Sequence, residues 1–105
     1  MTGGSPPRVV VRLDFPGGRI GHGKVALLEA VASTGSLAGA ARTLGMSYPR
    51  ALDLVAQVDG VLGTAAVLRR AGGSGGGQAR LTEAAALLAR YRAIEAAAQR
   101  AAALS

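Results

Sequence analysis

The segment Ser47-Tyr48-Pro49-Arg50 brings together side chains that can bind phosphate groups and nucleic-acid bases. Ser47 and Tyr48 carry hydroxyl groups that can donate to phosphate oxygens, and Arg50 carries a guanidinium group that suits the O6 and N7 atoms of guanine. The simpler alternative is that Arg50 and the nearby Arg42 are solvated arginines on exposed helix faces. The choice between the two interpretations depends on the elements that position these side chains.

The rest of the sequence offers no catalytic or metal-binding set of residues. It has no cysteine, its one histidine is His22, and its six acidic residues are scattered singly. We therefore expect no catalytic residue, no metal ligand and no cofactor. The glycine-rich run 72–77 is followed by Gln78-Ala79-Arg80 and not by the Gly-Lys-Ser or Gly-Lys-Thr of a nucleotide-binding loop. A protein that is not an enzyme is expected.

Two short helices are predicted around the Ser47 segment. Ser36 is a typical N-cap residue, and the apolar residues that follow it repeat at helical spacing until Gly45 ends the helix. Ser47 is the N-cap of a second helix, which is predicted to end at about Asp59. Pro49 falls in the first turn of that helix, where a missing N–H loses no intrahelical hydrogen bond.

The junction between these two helices is typical of a helix-turn-helix. Ala41 is small at the predicted helix crossing, and Gly45 adopts the positive φ of a tight turn at little cost. The second helix of such a pair enters the major groove of DNA with its N-terminal residues. The predicted DNA contacts of this helix are Ser47, Tyr48, Pro49, Arg50 and Asp53, supported by Ser36 and Arg42 on the preceding helix.

A further helix is predicted over residues 23–33, and strands are predicted near the N-terminus and after the helix-turn-helix. Alternating apolar residues predict an N-terminal strand over residues 8–15. Strands over residues 65–70 and 79–81, joined by a glycine loop, predict a two-stranded wing that lies along the minor groove or the phosphates. A flexible linker is the alternative for the glycine run. The predicted wing contacts are Arg69, Arg70, Gly73, Ser74, Gly75, Gly76 and Arg80.

A long last helix is predicted to begin with Thr82 as its N-cap and to end at about Ala103. Such a helix is about 31 Å long and overhangs a compact chain of this size, whose radius of gyration is about 13 Å. A second copy of the same helix is the expected partner, because most soluble homo-oligomers are two-fold dimers. The apolar stripe for this pairing includes Leu87, Leu88, Tyr91 and Ile94.

Length and composition favour one small, mainly helical domain. Half of the 105 residues are hydrophobic and only three are aromatic, which favours closely packed helices. We predict a mainly α fold with a small β component, with a disordered leader over residues 1–7 and a winged helix-turn-helix domain over residues 8–105. The net charge of +6 fits a polyanionic partner, and compositional bias toward arginine is the alternative. No export signal or membrane span is recognisable, so a cytoplasmic protein with no membrane partner is expected.

Several motifs occur in a fixed order along the chain. They are Ser33-Thr34-Gly35-Ser36-Leu37, Ala40-Ala41-Arg42, Leu44-Gly45-Met46-Ser47-Tyr48, the run 72–77 with Ala79, Leu81 and Thr82, and Tyr91-Arg92. Together they resemble the N-terminal DNA-binding domain of molybdate-responsive (ModE) regulators, relatives of the LysR winged helices, over about residues 8–98. The resemblance implies that the N-terminal strand and the last helix pair two subunits, which adds Val9 and Val11 to the dimerisation residues. The family usually has a basic residue where this chain has Pro49, and an aromatic residue is common where Leu52 stands, so its operator preference is not carried over.

The leading hypothesis is a DNA-binding transcriptional regulator, which the resemblance links to molybdate metabolism. As a homodimer it would bind a two-fold symmetric operator whose half-sites lie about one helical turn apart. Larger members carry a molybdate-binding domain after the last helix, whereas this sequence stops at Ser105. No molybdate cofactor is therefore expected in this chain, and a separate molybdate-sensing protein is a candidate partner. The alternatives are a stand-alone modulator that forms heterodimers with a full-length regulator, and a nucleoid-type protein with little sequence preference.

Overall fold

The computed structural model describes residues 5–71 and 77–103 of the chain. Within these residues lie four helices and two antiparallel strand pairs, so the prediction of a mainly α fold with a small β component is confirmed. In chain order the elements are β1 (Leu13–Phe15), β2 (Gly18–Ile20), α1 (His22–Thr34), α2 (Leu37–Leu44), α3 (Tyr48–Leu62), β3 (Val67–Arg70), β4 (Gln78–Leu81) and α4 (Ala84–Ala103). The fold is a winged helix-turn-helix with a long C-terminal helix, and β3 and β4 form its wing.

The capping residues that the sequence predicts form the ends of α2 and α3 and the tight connection between them. The Ser36 Oγ atom accepts a hydrogen bond from the Gly39 N–H at 2.8 Å, and the Ser47 Oγ atom accepts one from the Arg50 N–H at 3.1 Å. Gly45 has a φ of 69°, in the left-handed region that glycine adopts most easily. Each of these local features is confirmed as the sequence predicts it.

Helix α3 continues beyond its predicted end. The sequence predicts an end at about Asp59, whereas the helix runs to Leu62 and is terminated by Gly63, whose φ is 74°. The additional turn is stabilised because Val61 and Leu62 pack against the core. The Asp59 carboxylate accepts a hydrogen bond from the Ala66 N–H at 2.7 Å and so fixes the connection to the wing.

The prediction of an N-terminal strand over residues 8–15 is wrong in its extent. Only Leu13–Phe15 forms a strand, because only these residues have a pairing partner. That partner is Gly18–Ile20, a strand that the sequence analysis did not predict, and the two form an antiparallel hairpin. The predicted leader over residues 1–7 lies partly outside the described residues, which begin at Ser5.

The segment before β1 lies against α4 instead of forming a strand. The Tyr91 hydroxyl donates to the Val11 carbonyl at 2.7 Å. The Gln99 side chain accepts from the Val9 N–H at 2.9 Å and donates to the Pro7 carbonyl at 2.8 Å. Side chains satisfy these backbone groups, so no neighbouring strand is required. Val9 and Val11 are half-buried against α4, and Val10 between them is 71% exposed. This alternation in burial explains the strand-like pattern in the sequence.

Helix α4 begins two residues later than predicted. The Thr82 hydroxyl donates to the Ala65 carbonyl at 2.6 Å, so the prediction that Thr82 caps the helix is wrong. The helix begins at Ala84, and its 20 residues span about 30 Å. The buried residues of α4 are Ala84, Leu87 and Tyr91, all in its first half, so its second half extends beyond the core. The molecule is accordingly long, at 58 Å, with a radius of gyration of 15.9 Å.

Helix α1 lies at the centre of the core and contacts each of the other helices. The largest fully buried side chains are Tyr91, Ile20, Leu27, Leu28, Val25, Val31 and Val58. The Ala79 N–H of β4 donates to the Gly35 carbonyl at 2.8 Å, which fixes the wing to the turn between α1 and α2. In the described part of the chain, no helix combines the length and the apolar character needed to cross a membrane.

Candidate nucleic-acid interface

The N-terminal part of α3 has one buried face and one exposed face. Ala51 and Leu54 are buried in the core that α3 shares with α2, and Ala41 is buried on the facing helix. Met46 is half-buried and packs against the same core. The predicted DNA contacts Ser47, Tyr48, Pro49, Arg50 and Asp53 are all exposed. The helix-turn-helix therefore presents these residues to solvent together.

Three polar side chains form a line along the exposed face of α3. The Arg50 Nη1 atom donates to the Asp53 carboxylate at 3.3 Å, and the Gln57 Nε2 atom donates to the same carboxylate oxygen at 2.9 Å. The Arg50 and Asp53 side chains are each 58% exposed. Arginine, aspartate and glutamine can contact guanine, cytosine and adenine respectively in the major groove. The line is therefore chemically suited to reading base edges.

A hydrogen bond joins the start of α3 to the wing. The Arg69 Nη1 atom of β3 donates to the Tyr48 hydroxyl at 3.3 Å. Arg69 pairs with Ala79 across the wing, and Ala79 is in turn fixed to the turn between α1 and α2. The wing and the N-terminal end of α3 are thus linked on one side of the molecule.

A groove of about 620 Å³ lies between the wing and the start of α2 and α3. Ser36, Tyr48, Arg69, Arg70 and Gln78 contribute its polar lining, and none of the described lining residues is acidic. Arg69 and Arg70 are exposed, so their guanidinium groups are accessible to an anion. This combination is suited to a phosphate backbone, for which arginine is a common donor.

The remaining predicted support residues occupy different places. Arg42 is exposed on α2 and Arg80 is exposed on β4. Ser36 is half-buried, because its hydroxyl serves as the α2 cap. The predicted wing-tip residues Gly73, Ser74, Gly75 and Gly76 lie outside the described residues.

The predicted dimerisation residues differ in accessibility. Leu87 and Tyr91 are buried within their own chain, and Leu88 is half-buried. Ile94 is 37% exposed, in the part of α4 beyond the core. Val9 and Val11 are half-buried beside α4. Their role in pairing two chains remains a prediction.

A cluster of ion pairs links α4 to α1, away from the exposed face of α3. The Arg92 guanidinium donates to both carboxylate oxygens of Glu29, at 2.8 and 2.5 Å, and to Glu95 at 2.5 Å. The hydrogen bond from Arg92 lowers the pKa of Glu29, against the opposing effect of burial. The two carboxylates in turn raise the pKa of Arg92. The ion pair between Arg92 and Glu29 therefore holds the middle of α4 against α1.

Sequence reasoning missed two features of the interface. The bond between Tyr48 and Arg69 joins residues 21 positions apart, and no local pattern indicates it. Gln57 was not predicted as a contact, although it follows Arg50 by seven residues, a spacing that places two side chains on one helix face. That spacing was the available signal for Gln57.

Comparisons with known proteins agree with this geometry. The family model described as bacterial regulatory helix-turn-helix protein, lysR family, matches residues 23–86. The matched region begins at α1, includes the helix-turn-helix and the wing, and ends in the first turn of α4.

Three curated relatives are similar over most of the chain. The molybdenum-pterin-binding protein MopB of Rhodobacter capsulatus is 45% identical over 87 residues, which cover 82% of this chain and 32% of the relative. MopA of the same organism is 42% identical, with 73% of this chain and 29% of the relative covered. The molybdenum transport protein ModE of Herbaspirillum seropedicae is 44% identical, with coverages of 67% and 26%. The chain thus spans about a third or less of the length of these relatives.

Proposed function

This chain belongs to the LysR family of bacterial regulatory helix-turn-helix proteins, and we propose that it is a transcriptional regulator that reads a specific DNA sequence as a homodimer. The observation that carries the proposal is the exposed line of Arg50, Asp53 and Gln57 on α3, beside a wing that Arg69 joins to Tyr48. A recognition helix in the major groove and a basic wing on the phosphates need this arrangement.

Each exposed group has a role in this proposal. Arg50 contacts guanine through two N–H donors, and this contact discriminates against other bases by about 1–3 kcal/mol. Ser47 and Tyr48 donate to phosphate oxygens at the start of the helix. Arg69 and Arg70 neutralise phosphates on the wing side, which raises affinity without specifying sequence.

Dimerisation would place two copies of α3 in successive turns of the major groove. A two-fold symmetric operator has half-sites about 34–36 Å apart. Ile94 and Leu88 offer apolar surface on α4 for a second copy of that helix. The length of α4 beyond the core supports this arrangement.

A link to molybdenum is proposed from the names of the three relatives, each of which refers to molybdenum. The similarity to those proteins is confined to the region that forms the DNA-binding fold in this chain. We therefore propose that this chain controls molybdenum-related genes, and we do not propose that it binds molybdenum. The test is transcript measurement in a deletion strain grown with and without molybdate. Unchanged transcripts at every bound site would remove the link and leave the DNA-binding proposal intact.

The decisive experiment is a binding titration with the duplex upstream of the protein's own gene and with a scrambled duplex, at about 150 mM salt. Specific binders prefer their site by about a thousandfold or more. We expect such a preference in the wild type and its loss in Arg50→Ala. Equal weak binding to both duplexes, unchanged by the substitution, would contradict specific reading and favour either a nucleoid-type protein or a partner of a full-length regulator.

A further inference from the structure

A second basic groove lies beside the C-terminal half of α3, whereas the first groove lies at its start. It has a volume of about 350 Å³ and is lined by Gly17, Gly18, Arg19, Lys24, Gln57 and Gly60. The lining thus combines the hairpin of β1 and β2, the start of α1 and the later part of α3. Arg19 and Lys24 bring two positive charges, and no described lining residue is acidic. The hairpin precedes the region that matches the family model, residues 23–86.

The groove lies on the same face of α3 as the proposed reading residues. Gln57 lines the groove and also shares the Asp53 carboxylate with Arg50. Gln57 follows Arg50 by two helical turns, which is about 10 Å along the helix axis. The major groove of DNA is about 12 Å wide. The hairpin and the start of α1 flank α3 at Gln57. When α3 lies in the major groove, their cations are therefore beside the phosphates that border it.

The two cations are positioned by the protein and remain able to bind an anion. The Lys24 Nζ atom donates to the Arg19 carbonyl at 2.9 Å, which uses one of the three donors of its ammonium group. Asp14 stands opposite Arg19 in the hairpin, but its carboxylate is ion-paired with Arg12 at 2.9 Å. The hairpin itself is fixed against α3, because Gly17 packs directly on the Gly60 carbonyl.

We propose that Arg19 and Lys24 bind a phosphate of the DNA backbone beside the C-terminal half of α3. The hairpin of β1 and β2 is then a second phosphate-contacting edge, and α3 is held between two sets of backbone contacts. This inference rests on the proposed function, since it requires α3 to lie in the major groove. Phosphate contacts of this kind set affinity and orientation but carry no sequence information.

The test is the salt dependence of DNA binding by the full chain. The wild type, Arg19→Gln and Lys24→Gln are titrated with the native and the scrambled duplex between about 50 and 200 mM salt. Each phosphate contact that is lost reduces the slope of log affinity against log salt by about 0.9, and a substitution in a homodimer removes one contact from each protomer. The slope should therefore fall by about 1.8, so that the loss of affinity over this fourfold range is about 12-fold smaller. We expect this change on both duplexes alike, with the ratio between the duplexes unchanged.

Two further variants serve as controls. Lys24→Arg keeps the charge and should keep the wild-type slope, so a fall in Lys24→Gln is not a folding defect. Arg100→Gln removes an exposed cation on α4, about 120° around the helix from Ile94, and should also leave the slope unchanged.

This inference is overturned if neither Arg19→Gln nor Lys24→Gln changes the salt slope while Arg50→Ala still removes the preference for the native duplex. The proposed function then stands. An Arg50→Ala variant that keeps the wild-type preference would contradict the proposed function itself.

Discussion

At the scale of single residues, two tyrosines use the same hydroxyl group in opposite environments. The Tyr91 ring is fully buried, and its hydroxyl donates to the Val11 carbonyl at 2.7 Å. Burial raises the pKa of Tyr91, as does the nearby Glu95. Tyr48 is 43% exposed, and its hydroxyl accepts from Arg69. The first hydroxyl stabilises the fold, whereas the second is accessible from solvent.

Removing each hydroxyl separates these roles. Tyr91→Phe leaves the Val11 carbonyl without its protein donor, so we expect a loss of about 0.5–1.5 kcal/mol in the free energy of unfolding. Tyr48→Phe changes an exposed group and should stay within about 0.5 kcal/mol of the wild type. Urea denaturation of the two variants is the measurement. A Tyr48→Phe variant destabilised as much as Tyr91→Phe would show that burial of the hydroxyl does not determine the difference.

At the scale of elements, the hairpin of β1 and β2 depends on a glycine that touches α3. A Cβ atom at Gly17 would collide with the Gly60 carbonyl oxygen, and backbone at that point has little room to move. A Cβ atom at Gly23, in the first turn of α1, would meet nothing within 4 Å. The two glycines are close in sequence, but only Gly17 makes a close contact of this kind.

We therefore expect opposite effects from one substitution at these two glycines. Gly17→Ala should destabilise the protein by about 1–3 kcal/mol, the range for overpacked sites. Gly23→Ala should stabilise it by up to about 1 kcal/mol, because alanine loses less conformational entropy in a helix. Thermal melting of both variants tests the pair. Equal melting temperatures would contradict the close contact between the hairpin and α3.

The link between α1 and α4 is predicted to depend on pH. Arg92 lowers the pKa of Glu29 below its ordinary value of 4.5, so the folded chain binds a proton here less readily than the unfolded chain. The stabilisation is therefore complete above that ordinary value and is lost as the pH falls toward the lowered pKa. Glu29→Gln should be less stable than the wild type at neutral pH, and its stability should fall less steeply with acidification.

Urea midpoints measured between about pH 7 and pH 3 test this expectation. The wild-type and Glu29→Gln curves should converge at the acid end, because the ion pair is then lost in both. Glu83→Gln removes an exposed carboxylate at the start of α4 and controls for the loss of one negative charge. Parallel wild-type and Glu29→Gln curves would exclude a role for this pair in acid stability.

The elements that the sequence predicted correctly are those whose signals are local. Caps at Ser36 and Ser47 and the turn at Gly45 depend on residues within one helical turn, and the structure confirms them. The strand at Gly18–Ile20 is three residues long, too short to show a period, and it exists because β1 pairs with it. Thr82 is a typical cap residue, but the nearby Ala65 carbonyl binds its hydroxyl. In each incorrect prediction, pairing or hydrogen bonding with residues outside the local pattern determined the structure.

At the scale of the whole molecule, the second half of α4, which has no buried residue, packs with the segment before β1. Gln99 and Tyr91 bind that segment through three hydrogen bonds. Ile94 is 37% exposed in this part of α4, and Val10 on the neighbouring segment is 71% exposed. An apolar surface on an extension of this kind is suited to a second copy of the chain.

The dimer predicts that a charge at Ile94 separates the two chains. We expect a wild-type mass in solution of twice 10.4 kDa, and a single-chain mass for Ile94→Glu, because burying an unpaired carboxylate in the interface is costly. Ala89→Glu adds the same charge to an exposed position about 140° around α4 and should remain a dimer. Light scattering after size-exclusion chromatography measures the masses, and circular dichroism checks that both variants fold. A folded Ile94→Glu variant that stays dimeric would exclude Ile94 from the interface, and a wild type with the mass of one chain would contradict the homodimer itself.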